Sequence, residues 1–179
     1  HEVDFWEEHK KVLDWAKENV TSTMHICWGA QAALYHYYGI GKYPLPSKCS
    51  GIFTHEVYDS TVKLIRGFND IFTAPHSRNT SVSTDAVRNH PDLEVLSASD
   101  EAGIFLVISK DERNIMVTGH LEYDAETLRD EYERDVARGL NPEVPKHYFP
   151  NDDPTKRPLN TWRSHTHLLF SNWLNYYVY

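Results

Sequence analysis

The stretch Thr23-Met24-His25-Ile26-Cys27, followed by Trp28-Gly29-Ala30, constrains this chain more than any other. A short β-compatible run breaks tightly at Trp28-Gly29-Ala30 and continues as a helical pattern over residues 31–38, stopped by Gly39. A strand feeding directly into a helix is the building unit of layered α/β folds, and it puts Cys27 on the turn between the two. The flanking segments agree. Phe5, Trp6, Val12, Leu13, Trp15 and Ala16 recur at near-helical spacing with charges between them, an amphipathic helix ending near Asn19. Gly51-Ile52-Phe53 and the residues before Asp59 predict a strand. Residues 71–80, containing Pro75-His76-Ser77-Arg78, read as an ordered loop. Residues 93–96, 103–109 and 114–118 form three strand-like runs parted by polar segments that suit hairpin turns. A helix capped by Asp124 then shows Leu128, Tyr132 and Val136 on one face and ends at Gly139. Residues 141–158 form a long loop, and an apolar, aromatic helix over roughly 162–177 packs on the core.

Composition narrows the function classes. A length of 179 residues without repeats, linker or low-complexity tracts predicts one domain over 1–179. Lys and Arg number 18 against 26 Asp and Glu, a net charge of −8 that speaks against a nucleic-acid partner. Apolar runs such as residues 104–108 fall far short of the roughly 20 residues that cross a bilayer, so no membrane association is expected. Cys27 and Cys49 cannot build a disulfide framework, and His1-Glu2-Val3-Asp4 lacks the apolar core of a signal peptide; both point to the cytoplasm. The first residue is not Met and the chain stops on the aromatic run Trp173 to Tyr179, so both ends look cut and a longer parent chain is expected. Despite eleven histidines, no set has metal-ligand spacing, and His165 and His167 would not share a helix face; no metal is expected.

Two constellations can carry chemistry. A nucleophile on a sharp strand-to-helix turn is presented on a strained corner. The helix start behind it supplies free N–H groups and a positive dipole end, which favour a thiolate at Cys27, while the Trp28 N–H is placed to hold an oxyanion. His120-Leu121-Glu122 ends a strand-like run, where residues two apart face the same side, so Glu122 can orient the His120 ring. Taken alone, Cys27 reads equally as a buried core cysteine, and His-x-Glu as an ordinary strand end.

The runs His25 to Ile40, Arg66 to Asp70, Ala74-Pro75-His76-Ser77-Arg78, Val117 to Asp124, Trp162-Arg163-Ser164-His165 and Asn172 to Tyr179 resemble the homoserine O-acyltransferases that open methionine biosynthesis. The resemblance runs from about Trp6 to Tyr179. It implies an α/β fold like the class I glutamine amidotransferases, a flavodoxin-like central sheet flanked by helices, with the N-terminal strands missing from this chain. It also implies one catalytic acyltransferase domain, the C-terminal larger part of a longer family chain. Cys27 matches the nucleophile that carries the acyl group, His120 the general base and Glu122 its orienting partner. Lys48, Ser77 and Arg134 match the family's substrate-binding positions. Each suits the task physically: Arg134 as a bidentate fork for a carboxylate, Lys48 as a point charge, Ser77 as donor and acceptor. The family usually has Pro or Ser where Leu121 stands, a position that carries no ionisable group.

The resemblance therefore predicts transfer of an acyl group, acetyl favoured over succinyl, from acyl-CoA to the hydroxyl of L-homoserine through an acyl-Cys27 thioester. Acyl-CoA is the cosubstrate, no cofactor is tightly bound, and a homodimer is expected. L-serine as acceptor differs by one methylene, which a pocket discriminates by only about 1–3 kcal/mol. A class I glutamine amidotransferase would use the same Cys and His-x-Glu for amide hydrolysis. Against it stand Arg134 and the Trp162 to His165 segment.

Overall fold

The computed structural model describes residues 3–179. Its centre is a six-stranded sheet of β1 (Thr23–Ile26), β2 (Lys42–Val57), β3 (Ile71–Val82), β4 (Leu93–Ser99), β5 (Gly103–Ser109) and β6 (Asn114–Val117), in the order β1-β6-β5-β4-β2-β3. Five helices accompany it: α1 (Trp6–Asn19), α2 (Trp28–Tyr38), α3 (Thr84–Arg88), α4 (Thr127–Ala137) and α5 (Arg163–Trp173). β1 and β6 run parallel with Ile26 opposite Val117, and the other pairs are antiparallel.

Both faces of the sheet are covered, so β5 and β6 are apolar at nearly every position instead of alternating. On one face Ala30, Ala33 and Leu34 of α2 and Val87 of α3 pack with Ile104, Val107 and Met116. On the other, Leu128 of α4, Leu169 of α5 and Trp162 pack with Phe72, Phe105 and Ile115. α1 lies outside α2, held by the edge-on contact of Trp6 with Trp28 and by the Tyr37 hydroxyl donating to the Leu13 carbonyl. Among the described residues, no helix is long and apolar enough to cross a membrane.

Five local expectations are corrected. Residues 71–80 are not a loop but most of β3, an edge strand paired only with β2. Pro75 is tolerated there because the strand's other side needs no N–H donor. Trp28-Gly29-Ala30 is no break, since α2 begins at Trp28 and Cys27 alone takes the turn. α4 starts after Glu126 and not at Asp124, whose carbonyl, not its side chain, accepts the Thr127 N–H. The inner face of α4 carries Leu128 and Asp135, while Val136 is exposed. The final helix ends its regular course at Trp173 and finishes with a wider turn over Leu174–Val178.

Candidate active site

The site forms because β1 and β6 are parallel neighbours. Ile26 sits opposite Val117, so the next residues of both chains leave the sheet side by side at its carboxyl end. The Cys27 N–H donates to the Val117 carbonyl at 2.7 Å, fixing this register one residue further. Cys27 then turns with φ 52° and ψ −112°, a sparsely populated conformation for a residue with a Cβ. Its half-buried side chain is thereby lifted off the end of the strand. Trp28 is the first residue of α2, so its N–H has no acceptor within the helix.

On the β6 side, Thr118-Gly119 carries the chain to His120. The sheet curls so that its far edge closes over this point: the His120 N–H donates to the Pro75 carbonyl of β3 at 2.8 Å, and Cys27 Sγ lies 4.0 Å from the Ser77 carbonyl. Gly119 permits the approach. A Cβ there would sit 2.7 Å from both the Pro75 carbonyl oxygen and the Phe105 ring.

His120 Nδ1 lies 2.6 Å from Glu122 Oε1, and its side chain also hydrogen-bonds Cys27. Burial opposes a charge on the ring. The hydrogen bonds and negative charges of Cys27 and Glu122 outweigh it and push His120 up to about 9. A nucleophile candidate, an imidazole and an orienting carboxylate are thus joined in line.

The remaining predicted residues extend this line. The Ser77 hydroxyl donates to Glu131 Oε2 at 2.5 Å, and Lys48 Nζ reaches the same oxygen at 3.3 Å and Asp135 Oδ2 at 3.4 Å. Arg134 closes the chain, with Nε and Nη2 donating to Asp135 Oδ1 at 3.0 and 2.8 Å. Cys27, Ser77, Lys48 and Arg134 therefore belong to one continuous polar run. An open cleft lined by Lys48, Tyr132, Asp135 and Lys146 adjoins it.

Three members were missed in the sequence: Tyr123, Glu131 and Asp135. The Tyr123 ring stacks on His120 at 4.1 Å between centroids, and its hydroxyl donates to Glu131 Oε1 at 2.8 Å. Burial works against the Glu131 charge, yet donors from Ser77, Tyr123 and Lys48 hold its carboxyl below the usual range. Cys49 lies on β2 opposite Arg78, outside this run, and burial pushes its thiol up.

Residues 1–179 match the family model of homoserine O-succinyltransferase. The chain belongs to that family. Within the family, it is 68% identical to a homoserine O-acetyltransferase of Lysinibacillus sphaericus over 99% of its own length and 57% of that protein's. It is 61% identical to a homoserine O-acetyltransferase of Geobacillus kaustophilus, covering 99% of this chain and 59% of the relative. The chain thus spans under two thirds of these relatives. Among solved structures, a glutamine amidotransferase of Thermotoga maritima superposes with TM-score 0.66 at 12% identity, over 95% of this chain and 68% of that one. A glutamine amido transferase of Methylobacillus flagellatus gives 0.67 at 11% identity, over 97% and 70%. The family's fold is accordingly the class I glutamine amidotransferase-like α/β fold.

Proposed function

We propose that this chain carries the site of a homoserine O-acyltransferase that moves an acyl group, acetyl favoured, from acyl-CoA to L-homoserine. The observation that carries the reading is the continuous run from Cys27 through Ser77 and Glu131 to Lys48, Asp135 and Arg134. It sets a nucleophile beside cations and carboxylates of the kind that hold a zwitterionic amino acid. The names of the similar relatives favour homoserine and acetyl.

In this reading the Cys27 thiolate attacks the acyl thioester and the Trp28 N–H holds the oxyanion. The tetrahedral adduct collapses, CoA leaves with the proton of the His120 imidazolium, and acyl-Cys27 remains. His120 is then neutral. It takes the hydroxyl proton of homoserine as that oxygen attacks the acyl carbon. Collapse of the second adduct restores the Cys27 thiolate and the His120 imidazolium. Exchange of one thioester for another is nearly balanced, while formation of the oxygen ester drives the transfer forward. Glu122 keeps its charge throughout and orients the ring. The amino-acid carboxylate is assigned to Arg134 and Lys48.

The test is an assay of the whole protein with acetyl-CoA or succinyl-CoA crossed with homoserine or serine, following CoA release. Release with acetyl-CoA and homoserine is expected. Ammonia from glutamine, with no CoA release from any pair, would overturn the reading in favour of an amidotransferase.

A further inference from the structure

Tyr123 touches both halves of the site. Its ring lies nearly parallel to the His120 imidazole, with 19° between the planes, and its hydroxyl donates to Glu131, the acceptor shared by Ser77 and Lys48. The backbone that carries the ring is anchored as well. The Tyr123 N–H donates to the His120 carbonyl at 3.2 Å, and the Tyr123 carbonyl accepts from Nε1 of the buried Trp162 at 2.9 Å. With its backbone anchored and its hydroxyl tethered to Glu131, the ring is restrained, and so is the imidazole stacked on it. The π face also lies against a ring that, in this reading, carries positive charge between turnovers, where an aromatic face favours a cation. At the other end, the phenol supplies one of the hydrogen bonds that fix Glu131.

We propose that Tyr123 is a positioning residue that clamps His120 by its ring and, through its hydroxyl, ties that clamp to the Glu131 carboxylate of the amino-acid end. The proposal rests on the acyltransferase reading above. It separates two effects that a merely structural residue would not separate.

Two variants test it, each in a Cys49→Ala background. Tyr123→Phe keeps the stack and loses the hydroxyl. It should leave the pH profile of Cys27 alkylation by iodoacetamide unchanged, while the homoserine concentration needed for half-maximal discharge of acyl-Cys27 rises about tenfold, the scale of one hydrogen bond to a charged group. Tyr123→Leu loses the stack. The upper limb of the alkylation profile, where the imidazolium proton leaves, should move down by about half a pH unit or more. A Phe variant that alters both readouts or neither, or a Leu variant that leaves the alkylation profile where it is in the wild type, would overturn the proposal. If Tyr123→Leu does not fold, as read by circular dichroism, the Phe variant decides by the same split. Alkylation needs neither acyl donor nor acceptor. A wild-type protein that transfers no acyl group therefore sinks the acyltransferase reading, while the alkylation profiles still judge the clamp on His120.

Discussion

Replacing Glu122 by Gln keeps the shape of the side chain and removes its charge. His120 Nδ1 lies 2.6 Å from Glu122 Oε1, and the ring titrates at about 9 where a free imidazole titrates at 6.5. The rise from 6.5 to about 9 corresponds to about 3 kcal/mol in favour of the charged ring. That preference is what remains after burial has been overcome, and Cys27 and Glu122 supply it jointly. The Glu122 side chain is 38% exposed, so solvent screens its share to roughly one pH unit, or about 1 kcal/mol. The folded value lies above the unfolded one. The stabilisation is therefore fully present below pH 6.5 and is lost as the pH rises through 9. Glu122→Gln should lower the His120 midpoint, followed by NMR of the ring proton, to about 8. It should cost about 1 kcal/mol in urea melts near pH 6 and almost nothing above about pH 10. A midpoint that stays at about 9, or a destabilisation that grows with pH, would refute this assignment of the charge.

Gly119→Ala puts a Cβ 2.7 Å from the Pro75 carbonyl oxygen and the Phe105 ring. The strain should cost about 1–3 kcal/mol in thermal or urea unfolding, and displacement of His120 should slow turnover on the order of a hundredfold. Acid should destabilise the fold through its buried imidazoles. Burial holds His25 down to about 4 and His55 down to about 3, and pushes His76 well below the ordinary value. Their contribution is present above pH 6.5 and lost as pH falls, by up to about 1.4 kcal/mol per pH unit for each ring; urea midpoints that do not drop between pH 7 and 5 would contradict it. Arg134→Ala should leave acylation of Cys27 by acyl-CoA nearly unchanged while discharge by homoserine falls more than tenfold, read as two half-reactions by intact mass. Arg134→Lys should recover only part, because an ammonium cannot make the fork.

The legible parts of the fold were those where one local signal had no competitor. Residues 93–117 alternate apolar runs with polar turns, and they form β4, β5 and β6 as expected. The turn at Cys27 was legible for the same reason, although its strain sits on Cys27 and leaves Trp28 free to open the helix. β3 was hidden because Pro75, His76 and Arg78 are poor strand residues. Its edge position accommodates the proline, and His76 is buried against His55 with ring nitrogens 2.9 Å apart, a partner 21 residues away that no local pattern reveals. α4 misled for a related reason. Its apolar residues suggested the inner face, but Glu131 and Asp135 turn inward because Lys48, 83 and 87 residues distant in sequence, meets them there. Two carboxylates four apart next to Arg134 were the available signal, and they look the same on a solvated helix. Cys27 and the His120, Glu122 pair stood out from the strand-to-helix turn and the strand end, although each alone read equally as structural; Lys48, Ser77 and Arg134 were found through the family resemblance, and their own spacing would not have singled them out.

The central claim is that Cys27 carries the acyl group between donor and acceptor. It is tested most directly by intact-mass analysis of the whole protein after brief exposure to acetyl-CoA without amino acid. One acetyl adduct should form, persist in Cys49→Ala, be absent in Cys27→Ala, and disappear when homoserine is added. An adduct that survives Cys27→Ala, or one that homoserine does not discharge, would contradict the account.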